Sequence, residues 1–430
     1  MVDPGMDPMR RRTFVSSGMA AVAALLLTGC GDDDADEETD DGPADGSTVD
    51  DSETATAARS TATAPADDDA ATIDDSGDRV IVIGAGPAGM SAAHLLRQEG
   101  VDVTVLEAGP THGGRIRHDL EFTDFPIPLG AEWMHVPPGI LPEIVNDDSV
   151  EITTEIIEYR TDDTAGFFDG TLSLFEVGDF FASDRKFVGS SWLDFFDTYI
   201  VPGIADTFVF DTPIVEIDHS GEGVVLTDSG GDTHEAAAVI VTVPLKLLQL
   251  GDVSFVPPLD DDRLATIDEA NVWSGLKAFV EFDEAFYPAA LSFPDSFTAE
   301  GQRLYYDAAY GQNSDANVLG LFSVGAQAER YQAVPPDELI DVILAELDEV
   351  FDGVASPRYV KHLVQNWNDE PFARAAYLAD DESSATSTRL SRPIGGTVYF
   401  AGDAYTAFDD WSAVHTAARS AADAVDDLLG

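Results

Sequence analysis

Cysteine is almost absent: Cys30 is the one cysteine in 430 residues. Neither an intramolecular disulfide nor a cysteine metal cluster can form from it. Lysine is nearly as scarce, since only four of the 22 Lys and Arg residues are Lys, at 186, 246, 277 and 361. Against them stand 81 Asp and Glu, a formal net charge of −59. That imbalance excludes nucleic acid as a partner, because phosphate binding needs clustered cations. The acidity is not confined to a tail. Residues 31–78 hold eighteen acids and one Arg, and residues 79–430 still carry a net −43. A folded domain so charged repels itself in dilute salt. The composition fits a halophile's protein, working where the Debye length has shrunk to about 3 Å at 1 M salt. The apolar run from Met19 to Leu27 is too short to span a bilayer stably.

That run belongs to a segment with its own logic. Arg10-Arg11-Arg12-Thr13-Phe14-Val15 is a twin-arginine pattern, and Leu27-Thr28-Gly29-Cys30 resembles a lipoprotein lipobox. Residues 1–30 therefore read as an export signal that leaves a lipidated Cys30, with the chain held at the extracytoplasmic face of the cell membrane through that lipid alone. Residues 31–78 carry almost no large apolar side chains and read as a disordered acidic tether.

From Arg79 onward the sequence is strongly patterned. Val80 to Ile83 are β-prone and apolar, and they run into Gly84-Ala85-Gly86-Pro87-Ala88-Gly89 and then a helical pattern. This G-x-G-x-x-G spacing supplies a tight turn, close backbone approach to a pyrophosphate, and close packing of helix on strand. The helix N-terminus offers unpaired N–H groups to phosphate. A second strand, Val101 to Leu106, ends at Glu107, about twenty residues on, where an acid meets a ribose hydroxyl in dinucleotide folds. Three β-prone runs at 213–217, 223–227 and 237–243 read as a meander. Residues 337–351 read as a helix with Leu339, Ile340, Ile343, Leu347 and Val350 on its apolar face. Lys277 lies in an alternating strand, on the face opposite Leu276, Ala278, Val280 and Phe282, and periodicity alone gives that second face to solvent.

Further blocks stand in a specific order. They include Glu107-Ala108-x4-Gly113-Gly114-Arg115, Gly130-Ala131-Glu132-Trp133-Met134-His135, Thr212-Pro213-Ile214-Val215, Gly275-Leu276-Lys277, Trp367-x3-Pro371-Phe372-x4-Tyr377 and Val398-Tyr399-Phe400-Ala401-Gly402-Asp403. From Arg79 to the C-terminus this set resembles the flavin-dependent amine oxidases: monoamine and polyamine oxidases, histone-lysine demethylases and L-amino-acid oxidases. The resemblance implies an α/β fold in which a discontinuous Rossmann-like FAD-binding domain (79–139, 209–258 and 366–430) carries an α+β substrate domain on a mixed sheet (140–208 and 259–365). It implies noncovalent FAD held by Gly84, Gly86, Pro87, Ala88, Gly89, Glu107, Ala108, Gly114, Arg115, Gly130, Ala131, Glu132, Trp133, Val215, Trp367, Gly402, Asp403, Ala413 and Val414. Arg115 would bind pyrophosphate, the Val215 backbone the adenine, and Asp403, where the family more often has Glu, the ribityl chain. Ala376 stands where monoamine oxidases carry the cysteine that bonds flavin.

The resemblance also assigns chemistry. Lys277 would hold a water against flavin N5, Tyr377 would be one ring of the amine cage, and His135 would face the substrate; the other reading of His135 is a hydrogen-bonded turn residue. The second cage ring, usually Tyr, is Ala413 here, with Trp411 or Trp367 as substitutes, and Thr416 replaces a Gly. The implied reaction oxidises a C–N bond of a small amine to an imine by hydride transfer to N5, with O2 or another acceptor taking the electrons and H2O2 forming from O2. Two alternatives stay open: an FAD-dependent desaturase or protoporphyrinogen-oxidase-like enzyme, and a surface lipoprotein that kept the flavin fold without catalysis. The charge reading makes its own prediction. Thermal unfolding followed by circular dichroism should show a midpoint that rises from dilute buffer to molar KCl, and a midpoint highest in dilute buffer contradicts it.

Overall fold

The computed structural model describes residues 79–178, 184–379, 385–406 and 412–430. The export signal, Cys30, the acidic tether and Trp411 lie outside the described residues. A parallel sheet of five strands forms the first layer, in the order Val398–Phe400, Ala238–Val241, Val80–Ile83, Val103–Leu106 and Phe208–Val209. Its central strands are apolar at every position because both faces are covered. The helices Pro87–Gln98 and Val414–Leu429 pack together on one face through Ala92, Ala93, Ala417, Ala418, Ala421 and Ala424, small residues that let two helices approach closely. On the other face Ile81, Val239 and Val241 meet Ile217, Leu226 and Phe255 of a four-stranded sheet.

That second sheet corrects the expected meander. Its antiparallel strands are Ile214–Asp218, Val224–Asp228 and Thr233–Ala236, with Ser254–Val256 added in parallel. Ala238–Val241 instead turns into the parallel sheet. The reason is burial: four consecutive apolar residues suit a strand covered on both sides, whereas Thr-His-Glu-Ala suits an edge with one face in water. The 140–208 stretch is likewise divided. The helices Ile140–Val145 and Trp192–Tyr199 bury Ile140, Ile144, Trp192, Phe195 and Phe196 in the nucleotide-domain core, and Phe208–Val209 closes the edge of the parallel sheet. The hairpin Thr164–Phe168 and Leu172–Glu176 joins the sheet of the other domain, and Tyr159 and Lys186 also reach that domain.

That other domain is a mixed sheet of eight strands. Its path runs Tyr359–Asn366, Gly275–Phe282, Asn317–Gly325, Gly301–Asp307, Ala290–Ser292, Thr164–Phe168 and Leu172–Glu176, with Phe297–Thr298 paired beside Gly301–Asp307. The helix Leu339–Val350 covers one face, where Leu339, Ile343, Leu347 and Val350 meet Leu276, Ala278, Val280 and Phe282. The alternation in Gly275–Phe282 is therefore real, but its second face is not solvated. Phe279 enters a separate core with Ile127 and Tyr306, and Lys277 is only 4% exposed. Two-sided cover, by the helix and by the nucleotide domain, overrides the pattern read from one strand.

A cross-strand pair fixes one site side chain from this sheet. Gly320 lies opposite Tyr306, and a Cβ at 320 would stand 2.6 Å from the Tyr306 ring. Gly320→Ala should thus displace Tyr306 and lower stability by about 1–3 kcal/mol, the usual cost of an extra methyl in a packed core. Urea denaturation checks this, and an unchanged midpoint contradicts it.

Candidate active site

The phosphate cradle follows from three glycines doing different work. Gly84 has φ +102°, a conformation that L side chains rarely adopt. Gly89 passes so close to the turn that a Cβ there would lie 1.9 Å from the Gly84 carbonyl oxygen. Gly86 has open space where its side chain would be, which is where a ligand can approach backbone. The helix starts with Pro87 at its first turn and no side-chain cap, so its first N–H groups and positive dipole end are available to an anion. Gly114 of the second turn packs over Gly86, its would-be Cβ 3.3 Å from the Gly86 Cα. Glu107 closes this end, accepting from Ala85 N–H at 2.6 Å and Gly109 N–H at 2.8 Å. Burial pushes the Glu107 carboxyl up, and those backbone N–H groups pull it partly back.

These turns open into one cavity of about 450 Å³. Gly84, Gly86, Pro87, Ala88, Glu107, Gly114, Arg115, Gly130, Ala131, Glu132, Trp133, Trp367, Gly402, Asp403, Ala413 and Val414 line it, and so do Lys277, Tyr377 and His135. Gly89 acts from behind the turn, and Ala108 does not line the cavity. Val215 does not either: its side chain is 37% exposed and its carbonyl accepts from Ser254 Oγ at 3.1 Å, while Ile214 is the neighbour turned into the core. Trp411 lies outside the described residues. Arg115 is not a free phosphate-binding cation, because its guanidinium pairs with both oxygens of Asp403 at 2.5 and 3.2 Å and donates to the Ala376 carbonyl. Asp403 therefore anchors Arg115 as well as lining the cavity. Gly130 is required by crowding, since a Cβ there would meet the Arg115 carbonyl oxygen at 1.8 Å and Trp367 at 2.9 Å.

At the opposite end lies a buried charge cluster. Glu132 Oε2 accepts from Lys277 Nζ at 2.7 Å and from Tyr306 Oη at 2.5 Å, and Lys186 Nζ stands 3.1 Å from Oε1. The remaining two Lys277 N–H bonds go to the Pro128 and Gly130 carbonyls at 3.0 and 3.2 Å. An ammonium has three donors, so all of Lys277's are committed to protein. This differs from the water-holding role that the resemblance implied. Trp133, Phe279 and Tyr306 surround the same ammonium, with ring centroids at 5.4, 5.2 and 5.5 Å. Burial drives the Glu132 carboxyl up, but the two ammoniums and the Tyr306 hydroxyl outweigh it and hold it at about 2. Burial pulls the Lys277 ammonium down, with Lys186 adding to the effect and Glu132 opposing both.

Near this cluster His135 Nδ1 meets the buried Asp184 carboxylate at 2.7 Å. Burial lowers the imidazole's proton affinity, yet the Asp184 charge and hydrogen bond prevail and raise it. Tyr377 is packed beside Trp273 with ring centroids 6.2 Å apart. Phe322 lies opposite Lys277 in the sheet and packs in the same small apolar cluster as Tyr377. It therefore brings an aromatic ring to the cavity where Ala413 supplies none. Lys186, Asp184, Tyr306 and Phe322 belong to none of the sequence blocks. Lysine scarcity was the available signal for Lys186, since two of only four lysines converge on Glu132.

Known proteins share this architecture. The family described as flavin containing amine oxidoreductase matches residues 203–429, and an NAD(P)-binding Rossmann-like domain matches residues 82–146. The mouse lysine-specific histone demethylase 1B is 25% identical over 410 residues, covering 76% of this chain and 50% of that protein. The rice polyamine oxidase 4 is 24% identical over 439 residues, covering 81% of this chain and 88% of that protein. The chain thus spans about half the length of the mouse and human histone demethylases it matches. A redesigned putrescine oxidase superposes with TM-score 0.66 at 16% identity, covering 82% of this chain and 99% of that one; this likeness concerns the fold.

The Glu132 carboxyl falls from its ordinary 4.5 to about 2 on folding. Its stabilisation is therefore complete above the unfolded value and is lost as pH falls through about 2. Glu132→Gln should cost about 3–5 kcal/mol at neutral pH, because it leaves two buried ammoniums without a counter-charge. The gap to wild type should narrow as the acid limb is descended. Denaturant unfolding across that range tests this, and a gap independent of pH contradicts it.

Proposed function

The chain belongs to the flavin-containing amine oxidoreductases, and on that basis we propose that it is an FAD-dependent oxidase of a small primary or secondary amine. The observation that carries the reading is one cavity joining a dinucleotide phosphate cradle, Gly84 to Gly89 with Glu107, to a lysine-bearing aromatic pocket around Lys277. The residues present fit FAD. Gly86 leaves space for a pyrophosphate, an uncapped helix start faces it, and Glu107 stands at the end of the second strand to accept a ribose hydroxyl. When bound, FAD supplies the acceptor for the hydride lost from the carbon beside nitrogen and passes the electron pair to O2, so that amine and O2 become imine and H2O2. Water then hydrolyses the imine.

The chain's residues do the rest. Trp133, Phe322 and Tyr377 give the amine an apolar wall that favours its neutral form. His135, held by Asp184, presents an imidazole at the cavity that can take the proton from an incoming ammonium. Lys277 supplies a fixed positive charge at the wall. Ala376 and the absence of a second cysteine support noncovalent FAD. The twin-arginine pattern and Cys30 support a lipid-anchored enzyme at the extracytoplasmic face, loaded with cofactor before export.

The test is an anaerobic titration of the purified protein in molar KCl with mono-, di- and polyamines and amino acids. One amine class should bleach the flavin band, with aldehyde or ketone and H2O2 forming when air is admitted. Lys277→Met should keep the flavin and slow its turnover by about a hundredfold, on the scale of a lost positioned charge or proton-transfer group. A flavin band that no amine bleaches contradicts the proposal and favours the desaturase-like or non-catalytic reading.

A further inference from the structure

In a chain with four lysines, two have their side chains almost wholly buried on the two oxygens of one carboxylate. Only one of the pair, Lys277, reaches the cavity; Lys186 does not line it. Lys186 comes from the strand Arg185–Phe187, at 3% exposure, and its ammonium also donates to the Ala308 and Asp307 carbonyls at 2.8 and 3.3 Å. It lines neither the phosphate cradle nor the cavity, and its ring contact is with Tyr306, whose centroid is 5.6 Å from its ammonium. A buried ammonium is costly to desolvate, and an apolar side chain would fill the same space without that cost. Packing alone therefore does not account for it.

We propose that Lys186 and Glu132 are positioning residues for Lys277, with Lys186 occupying the second oxygen of Glu132 so that the cavity-facing ammonium is held by a carboxylate whose charge it shares. The amine-oxidase reading gives this charge its purpose, and the coupling itself rests on the geometry alone. Within the cluster two cations face one anion, a local surplus of positive charge that the neighbouring Asp307 carboxylate, acting on Lys186 from outside it, offsets in part. That surplus sits against the cavity wall, on the side where Trp133 and Tyr306 close it off from water. Removing Lys186 leaves Lys277 and Glu132 matched one to one.

The groups facing Lys277 can be named from each packed element. The loop after Ile127–Pro128 gives Glu132 and, further along, His135 with its partner Asp184. The strand Arg185–Phe187 gives Lys186. Gly301–Asp307 gives Tyr306 and Asp307, and Tyr159 reaches the cluster through its hydrogen bond from Trp133. Asn317–Gly325 and Tyr359–Asn366 place the neutral Phe322 and Gln365 opposite Lys277, with Lys361 paired to Glu281 further along. Of these, Glu132 and Lys186 are the charges paired inside the cluster, Lys277 to Glu132 by a hydrogen bond and Lys186 to its other oxygen by an ion pair alone. The signs are then fixed: Glu132 raises the proton affinity of Lys277 and Lys186 lowers it.

Lysine scarcity makes the test direct. With Nζ-labelled lysine the wild type gives four side-chain signals, and Lys277→Met identifies the cavity one. Its titration midpoint, followed by NMR on the flavin-loaded protein in molar KCl, should rise by about one pH unit in Lys186→Met and fall by a similar amount in Glu132→Gln. Lys186→Arg, which keeps the charge, should stay near wild type. Shifts of one sign in both variants, or no shift in Lys186→Met, overturn the proposal. If Glu132→Gln does not fold, the sign in Lys186→Met decides alone, and Lys186→Gln repeats it. The pH limb of flavin reduction by the best amine should move with the NMR midpoint; a limb that stays fixed while the midpoint moves overturns the functional half of the proposal. A wild type that no amine reduces removes the amine-oxidase reading, and the midpoints still decide the coupling.

Discussion

Glu132 is the constraint on which the two halves of the molecule meet. It stands on a loop of the nucleotide-binding half and accepts from Lys277 and Tyr306, both carried by the mixed sheet. Lys186 reaches it from a third segment. One carboxylate thus ties three separate pieces of chain at the inner end of the cavity. The polar groups are buried together, and each ammonium also finds backbone carbonyls. Such a cluster adds little net stability over a well-packed apolar core, but losing one partner is expensive. That asymmetry makes it a device for fixing geometry.

The arrangement also answers the charge problem posed by the composition. The chain carries −59 overall, and the cations at and behind the cavity wall are each matched to a carboxylate: Arg115 to Asp403, Arg117 to Glu370, and Lys277, with Lys186 behind it, to Glu132. Repulsion among exposed acids is a long-range effect that salt screens. The two buried lysine pairs on Glu132 act at 2.7 and 3.1 Å, where mobile ions do not enter, while Arg115–Asp403 and Arg117–Glu370 are partly exposed. Surface and site are thereby governed by different electrostatics in one protein.

Much of this was legible in the residues. Gly84, Gly86 and Gly89 were readable because each answers to a local rule, and the strands and helices around them arise from short-range pattern. Leu339, Ile343 and Leu347 gave their helix away by spacing. The failures were non-local. The apolar run of Ala238–Val241 suits a strand covered on both faces, but the adjacent Thr233–Ala236 hid the point where the chain changes sheets. For Lys277, periodicity alone pointed to solvent and only the resemblance placed it at the flavin, because a strand's pattern does not reveal what lies over its second face. Val215 and Ile214 are strand neighbours and so point to opposite faces, and which face is buried depends on the sheet packed against them. Lys186, Asp184 and Tyr306 carry no motif at all; they become a site only through the fold.

The central claim is that one cavity holds FAD with its phosphates at Gly84 to Gly89 and its reactive end beside Lys277. The most direct measurement is a crystal structure of the protein purified in molar KCl with its natural cofactor retained. The account predicts continuous density for one FAD per chain, running from the Gly86 turn past Glu107 to the wall formed by Lys277, Tyr377 and Phe322. Density for a different nucleotide, or an FAD whose ring lies away from Lys277, would contradict it.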